Sequence, residues 1–388
     1  MPRWFNALTT DIIVDTPRII NGVPVKMAAR RYVLNGSSQS AAGLTLLCLH
    51  SIGSHKELWE PILENVFQSQ ETSHEKLPRI REIWSLDCPD HGDSALLNAS
   101  IEWPKESQFS LAWAEAVAYF RQTHLNGHRV VVISNSGAAY ASVGSIRFLD
   151  HWPTVPYEAF ILIEPPVVPP ERTEEDAQAW RERTVLTSKA AMSRRDVWDS
   201  HQGALKYFTK RFPWNEWDDC MVHLYVENGL RPISDRDTRL TLKCPKAKEA
   251  ESYSVPNHII DEAMAEIEKL CDKVPVHVLF GEYDDFMPEI GKTHIRDMAR
   301  AGRIASVMFV SGVGHFVCEL PAQFDSPEAS YIHVSCTGRS TETDRRFPVV
   351  EDHSGAAPPS HFQRSVGKPN LIVEVSCYAR RAIVMWHV

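Results

Sequence analysis

The run Arg129-Val130-Val131-Val132-Ile133-Ser134-Asn135-Ser136-Gly137-Ala138-Ala139-Tyr140-Ala141 passes from β-branched apolar residues, through Ser and Gly, into a segment of small residues. This pattern predicts a strand, a sharp turn and a helix, with Ser136 at the apex. A nucleophile on such a turn needs small neighbours two positions to either side, because the strained backbone there passes close to itself. Ser134 and Ala138 meet that need. The plainer reading of Ser136 is a helix N-cap, so the rest of the chain must supply partners if the turn is to carry chemistry.

It supplies two, in the order nucleophile, acid, base. Val274-Pro275-Val276-His277-Val278-Leu279-Phe280 reads as a strand and runs into Gly281-Glu282-Tyr283-Asp284-Asp285. Further on, Ile304-Ala305-Ser306-Val307-Met308-Phe309-Val310 reads as a strand delivering Ser311-Gly312-Val313-Gly314-His315-Phe316, a His flanked by Gly. Alone, Asp284 could cap the helix expected near Pro288, and His315 is one His among seventeen. Three residues at strand ends, in this order, are harder to reach by accident.

A Ser hydroxyl attacks well only when an imidazole accepts its proton, and that imidazole needs a carboxylate to fix its tautomer and stabilise its cation. The expected set is therefore Ser136 as nucleophile, His315 as base and then acid, and Asp284 as orienting carboxylate. Asp285 is the adjacent competitor, and Glu164, which ends the run Ala159-Phe160-Ile161-Leu162-Ile163, could reach the His from another strand. Of the three, Asp284, three residues beyond Gly281, is the expected acid. A tetrahedral intermediate also needs two donors for its oxyanion. The strand Leu44-Thr45-Leu46-Leu47-Cys48-Leu49 opens into His50-Ser51-Ile52-Gly53-Ser54, and the expected donors are the backbone N–H groups of Ile52 and Gly137. His50 is expected to bond loop backbone.

Composition narrows the classes of function. The chain has 388 residues, 43% hydrophobic and 23% charged, enough for a large core in one domain with an insertion, or in two domains. A formal net charge of −9 without a basic block argues against a nucleic-acid partner. No apolar run is long enough to span a bilayer, and Met1-Pro2-Arg3-Trp4-Phe5-Asn6 does not open a secretory signal. Eight Cys without metal-type spacing suggest reduced thiols in an intracellular, cytoplasmic setting. No metal site, cofactor or internal repeat is expected, and oligomeric state is left open.

Strands alternate with helices along the chain, which predicts an α/β fold with a mostly parallel sheet and helices on both faces. The expected division is a core part over 1–164, a helical lid over 165–272, the rest of the core over 273–323, and an atypical tail over 324–388 that is poorly ordered. The lid begins at Pro165-Pro166-Val167-Val168-Pro169-Pro170 and is rich in Trp, Tyr and Phe. Leu205, Phe208 and Phe212 share the spacing of one helical face. An aromatic lid over a Ser nucleophile would make a dry pocket for an apolar acyl or polyketide-like small molecule. In the tail, Leu320-Pro321-Ala322-Gln323-Phe324 looks like the start of a helix whose pattern is then lost.

With the elbow and Gly314-His315-Phe316, the segments Asp87-Cys88-Pro89-Asp90-His91-Gly92-Asp93-Ser94, Ile161-Leu162-Ile163-Glu164-Pro165 and Gly229-Leu230-Arg231 resemble the fungal α/β-hydrolases that include a yeast peroxisomal lipase and hydrolases of toxin biosynthesis. The resemblance covers roughly residues 20–323 and implies an α/β-hydrolase fold, the triad Ser136, Asp284 and His315, and ester or thioester substrates. Many relatives carry Gly-His before the nucleophile where this chain has Ser134-Asn135, and peroxisomal relatives end in a Ser-Lys-Leu-like tripeptide where it ends Trp386-His387-Val388. The expected function is that of a serine hydrolase working through an acyl-enzyme. The alternative is a hydrolase-fold protein that binds or cyclises a secondary-metabolite precursor without hydrolysis.

Overall fold

The apolar runs of this sequence alternate between two buried faces. In the computed structural model, Val130 and Val132 enter one core while Val131 and Ile133 enter the other, and Phe160 and Leu162 are likewise separated from Ala159, Ile161 and Ile163. A strand apolar on both sides must lie inside a covered sheet, which is why these runs show no polar alternation. The structure describes residues 7–20, 23–34, 42–72, 79–102, 108–149, 155–319, 334–335, 372–378 and 381–387.

The chain begins with β1 (Ala7–Ile20), β2 (Val23–Leu34) and β3 (Leu44–Leu49), and a 3-10 turn at Lys56–Trp59 leads into α1 (Glu60–Thr72). Then come β4 (Ile80–Leu86), α2 (Gly92–Leu97), α3 (Gln108–His124), β5 (Arg129–Asn135), α4 (Ala138–Gly144) and β6 (Ala159–Ile163). The long stretch that follows holds α5 (Glu174–Ser193), β7 (Val197–Trp198), α6 (His201–Phe208), α7 (Asp219–Gly229), β8 (Leu230–Ser234), β9 (Asp237–Leu242), α8 (Lys246–Ser252) and α9 (Asn257–Cys271). Thereafter the chain re-enters the sheet with β10 (Val276–Gly281), α10 (Glu289–Arg300) and β11 (Ser306–Val310), and β12 (Val334–Ser335), β13 (Ile372–Tyr378) and β14 (Arg381–His387) follow.

The main sheet has nine strands in the order β1-β2-β4-β3-β5-β6-β10-β11-β12. It is parallel from β4 to β11, with antiparallel strands at either edge. Crossovers place the carboxyl ends of β5, β6, β10 and β11 side by side, with Asn135 opposite Ile163, Ile163 opposite Leu279, and Gly281 opposite Val310. Ligands bind along such an edge in open α/β sheets.

Between β6 and β10, β7, β9 and β8 form a small separate sheet, and Trp198, Phe208, Trp217 and Tyr225 pack with α7 into their own core. The expected face Leu205-Phe208-Phe212 is interrupted. Helix α6 ends at Phe208, so Phe212 lies beyond it, 64% exposed. The expectation of a poorly ordered tail falls mostly outside the described residues, as does the helix start at Leu320-Pro321-Ala322-Gln323-Phe324. Within the tail, β12 pairs with β11, and β13 pairs with β14 in a two-stranded sheet.

Candidate active site

Strand β5 ends at Asn135, and the next residue, Ser136, takes φ 52°, the left-handed region that side chains avoid. The strain is held by backbone bonds on both sides of the turn. The Ser136 N–H donates to the Ile163 carbonyl at 2.8 Å, and the Ala139 N–H donates to the Ser136 carbonyl at 2.9 Å. Ser134 and Ser142 share a buried hydroxyl bond of 2.9 Å across the turn, which requires the small side chains that the sequence places there. At Gly137 the reason for glycine is spatial, since a Cβ would lie 2.6 Å from the Ile52 side chain.

The Ser136 hydroxyl lies 3.0 Å from Nε2 of His315. On the other side of the ring, Nδ1 lies 3.0 Å from a carboxylate oxygen of Glu164. Glu164 is fully buried and also left-handed, at φ 49°. Its N–H donates to the Leu279 carbonyl at 2.7 Å, and its second carboxylate oxygen accepts the Gly281 N–H. It is thereby fixed between β6 and β10, with one oxygen left for the imidazole.

The carboxylate at His315 is therefore not the one expected. Asp284 does not meet His315: its carboxylate lies 3.0 Å from Nζ of Lys292 on α10, and its side chain is 38% exposed. Lys292 is the cause, because it is buried and reaches back to donate to the Gly281 and Tyr283 carbonyls at 2.8 and 2.6 Å, which brings its charge to Asp284. Asp285 holds the His loop by its backbone instead, accepting the His315 N–H at 3.0 and 3.2 Å. A carboxylate immediately after five buried apolar residues and before Pro165 was the readable signal for Glu164, since such an acid has no route to solvent and needs a partner inside.

The loop after β3 is braced from below. His50 Nδ1–H donates to the Ser51 carbonyl at 2.8 Å and Nε2 accepts the Cys88 N–H at 2.9 Å, so both nitrogens serve loop backbone. Burial, and then His91 beside it, hold this imidazole well below its ordinary pKa. The Gly53 N–H donates to Nε2 of His91 at 3.0 Å, and His91 Nδ1–H donates to Asp90. Cys88, Asp90 and His91 are, among the described residues, a buried group with ligand atoms within 4.8 Å of one another, but both His91 nitrogens are already engaged. Within the described residues no hydrogen bond takes up the N–H of Ile52 or Gly137, and the Ile52 side chain lies against Gly137. Amides left unpaired in this way are what an oxyanion would require.

A cavity of about 600 Å3 adjoins this centre. Ile52 and Gly53 line it from the β3 loop, Phe286 and Phe316 from the loops that carry Asp285 and His315, and Tyr207, Phe212, Trp214 and Trp217 from the stretch between β6 and β10. Phe286 stacks on His315 at 4.3 Å between centroids. A buried ion pair, Arg194 with Glu249, closes one wall.

A family model described as the alpha/beta hydrolase family matches residues 46–329. No curated protein matches the sequence. Among solved structures, the chain is similar to the peroxisomal alpha-beta-hydrolase Lpx1 of Saccharomyces cerevisiae, at 15% identity and TM-score 0.61, covering 81% of this chain and 85% of that one. It is also similar to E-2-(acetamidomethylene)succinate hydrolase, at 17% identity and TM-score 0.56 over 80% and 94% of the two chains. A third likeness is to the thioesterase domain from the curacin biosynthetic pathway, at 11% identity and TM-score 0.51 over 80% and 95%. At these identities the likeness is one of fold.

Proposed function

This chain belongs to the alpha/beta hydrolase family, and from that premise we propose that it is a serine hydrolase, cleaving a carboxylic ester or thioester through an acyl-enzyme on Ser136. The observation that carries the reading is the unbroken relay from the Ser136 hydroxyl through His315 to Glu164, 3.0 Å at each step. As Ser136 Oγ attacks the acyl carbonyl, its proton passes to Nε2 of His315, and Glu164 stabilises the imidazolium from the far side. The developing oxyanion is met by the N–H groups of Ile52 and Gly137. His315 then returns the proton to the leaving group, and water releases the acid in a second addition.

The substrate is an apolar acyl or polyketide-like small molecule. Its pocket of about 600 Å3 is walled by aromatic rings, within the usual size range of small-molecule sites, and residues 165–272 act as the lid that supplies most of those rings. A fluorophosphonate probe is expected to label Ser136, with labelling lost in Ser136→Ala, and a panel of esters of graded acyl length should show an optimum set by the cavity. Intact wild-type protein that neither reacts with the probe nor turns over any ester would remove this reading.

A further inference from the structure

Three buried polar atoms without a partner among the described residues belong to side chains that line one small space. Trp59 Nε1 is a donor, and Asn135 Oδ1 and Glu319 Oε2 are acceptors. Their residues are 4%, 5% and 4% exposed, and all three line a void of about 10 Å3 together with Ser51 and Ser54. Leaving one such atom unsatisfied is costly, and three around one space are a pattern with one economical solution. A void of about this size holds one water. That water would accept from Trp59 and donate one hydrogen each to Asn135 and to the ionised carboxylate of Glu319, which uses every orphaned atom.

We infer that Trp59, Asn135 and Glu319 form a binding site for a single water, and that this water is the nucleophile that hydrolyses the acyl-enzyme. Position supports the role. Asn135 immediately precedes Ser136, and Glu319 lies on the segment that carries His315, its carbonyl accepting the Asp218 N–H at 2.8 Å. Ser51 and Ser54 line both this void and the large cavity, so the two spaces share a polar wall whose hydroxyls lie 3.0 Å apart. An acyl chain filling the aromatic cavity would exclude bulk water from that side, and a store behind the nucleophile supplies the second substrate where it is needed. The step balances: the water oxygen bonds to the acyl carbon, its proton passes to Nε2 of His315, and the ester bond to Ser136 Oγ breaks as that oxygen takes the proton back.

The inference rests on the serine-hydrolase reading, and the experiment separates the two. The acyl-enzyme formed from a p-nitrophenyl ester is followed by intact mass in wild type, Glu319→Met and Trp59→Phe, with and without hydroxylamine, which enters through the large cavity as an alternative nucleophile. The expected result is an unchanged rate of p-nitrophenol release in the first turnover, hydrolysis of the acyl-enzyme slowed at least about tenfold in both variants, and acyl transfer to hydroxylamine preserved. Probe labelling of Ser136 at the wild-type rate shows that each variant is folded, and Trp59→Phe keeps the ring if Glu319→Met does not fold. Hydrolysis at the wild-type rate in a folded variant, or equal slowing of hydrolysis and aminolysis, overturns the water site alone. Failure of the wild type to form any acyl-enzyme overturns the underlying function.

Discussion

Ser136 and Glu164 are the two residues outside glycine with a left-handed backbone among the described residues, and each stands one position past a parallel strand. Such strain persists only where surrounding bonds over-determine it, and here the Ile163 and Leu279 carbonyls and the Gly281 N–H do so. If Glu164 orients His315, Glu164→Gln keeps the shape and removes the charge that stabilises the imidazolium. Its kcat should fall on the order of 10³–10⁴-fold, as when a buried triad carboxylate is neutralised. Asp284→Asn touches only the Lys292 pair, and its kcat should stay within about threefold of wild type. Steady-state kinetics on one ester distinguishes them, and the opposite ranking would return the acid to Asp284. The ambiguity in the sequence was real, because β6 and β10 both end in carboxylates. What decides between them is which acid a buried lysine claims, and Lys292 lies far enough along the chain that local pattern says nothing of it.

Elements were legible where both faces are buried. The runs that became β3, β5, β6, β10 and β11 are mostly apolar, and β6 is wholly so, a composition that suits a covered parallel sheet. Less was legible where tertiary contact overrides pattern: α6 stops at Phe208 although the helical spacing continues to Phe212, which packs edge-on to Phe316 at 6.0 Å. The antiparallel edge strand β1 carries exposed Leu8 and Ile13 and gave no alternation strong enough to announce itself. One joint between elements matters for catalysis. At the end of β10, a Cβ on Gly281 would lie 2.3 Å from the Gly314 carbonyl, and one on Gly314 would lie 2.0 Å from the Asp285 carboxylate. Gly281→Ala must therefore push the His315 loop outward. A loss of about 1–3 kcal/mol in urea denaturation is expected from the overpacking, together with a fall in kcat of roughly 10²-fold from misplacing the imidazole. Unchanged kcat in that variant would show that the loop yields without moving His315.

At the scale of the whole molecule, two buried groups titrate in opposite senses and mask one another. Burial pushes the Glu319 carboxyl up to about 7 against the pull of His315, and burial lowers the His277 imidazole to about 4. The folded Glu319 holds its proton more tightly than the unfolded chain does, so its contribution to stability is complete below about pH 4.5 and is lost as pH rises through 7. His277 behaves conversely: its contribution is complete above about pH 6.5 and is lost as pH falls towards 4. Between pH 4.5 and 6.5 each slope is about 1.4 kcal/mol per pH unit, and they cancel. Glu319→Gln should therefore expose the His slope, making the protein relatively more stable at pH 6.5 than at 4.5, by up to about 3 kcal/mol compared with wild type. His277→Asn should expose the reverse, relatively more stable at pH 4.5. The comparison with wild type removes every other titrating group from the difference, so urea denaturation at three pH values across this window suffices. Parallel shifts of both variants with pH would mean that at least one of these groups titrates normally in the folded protein.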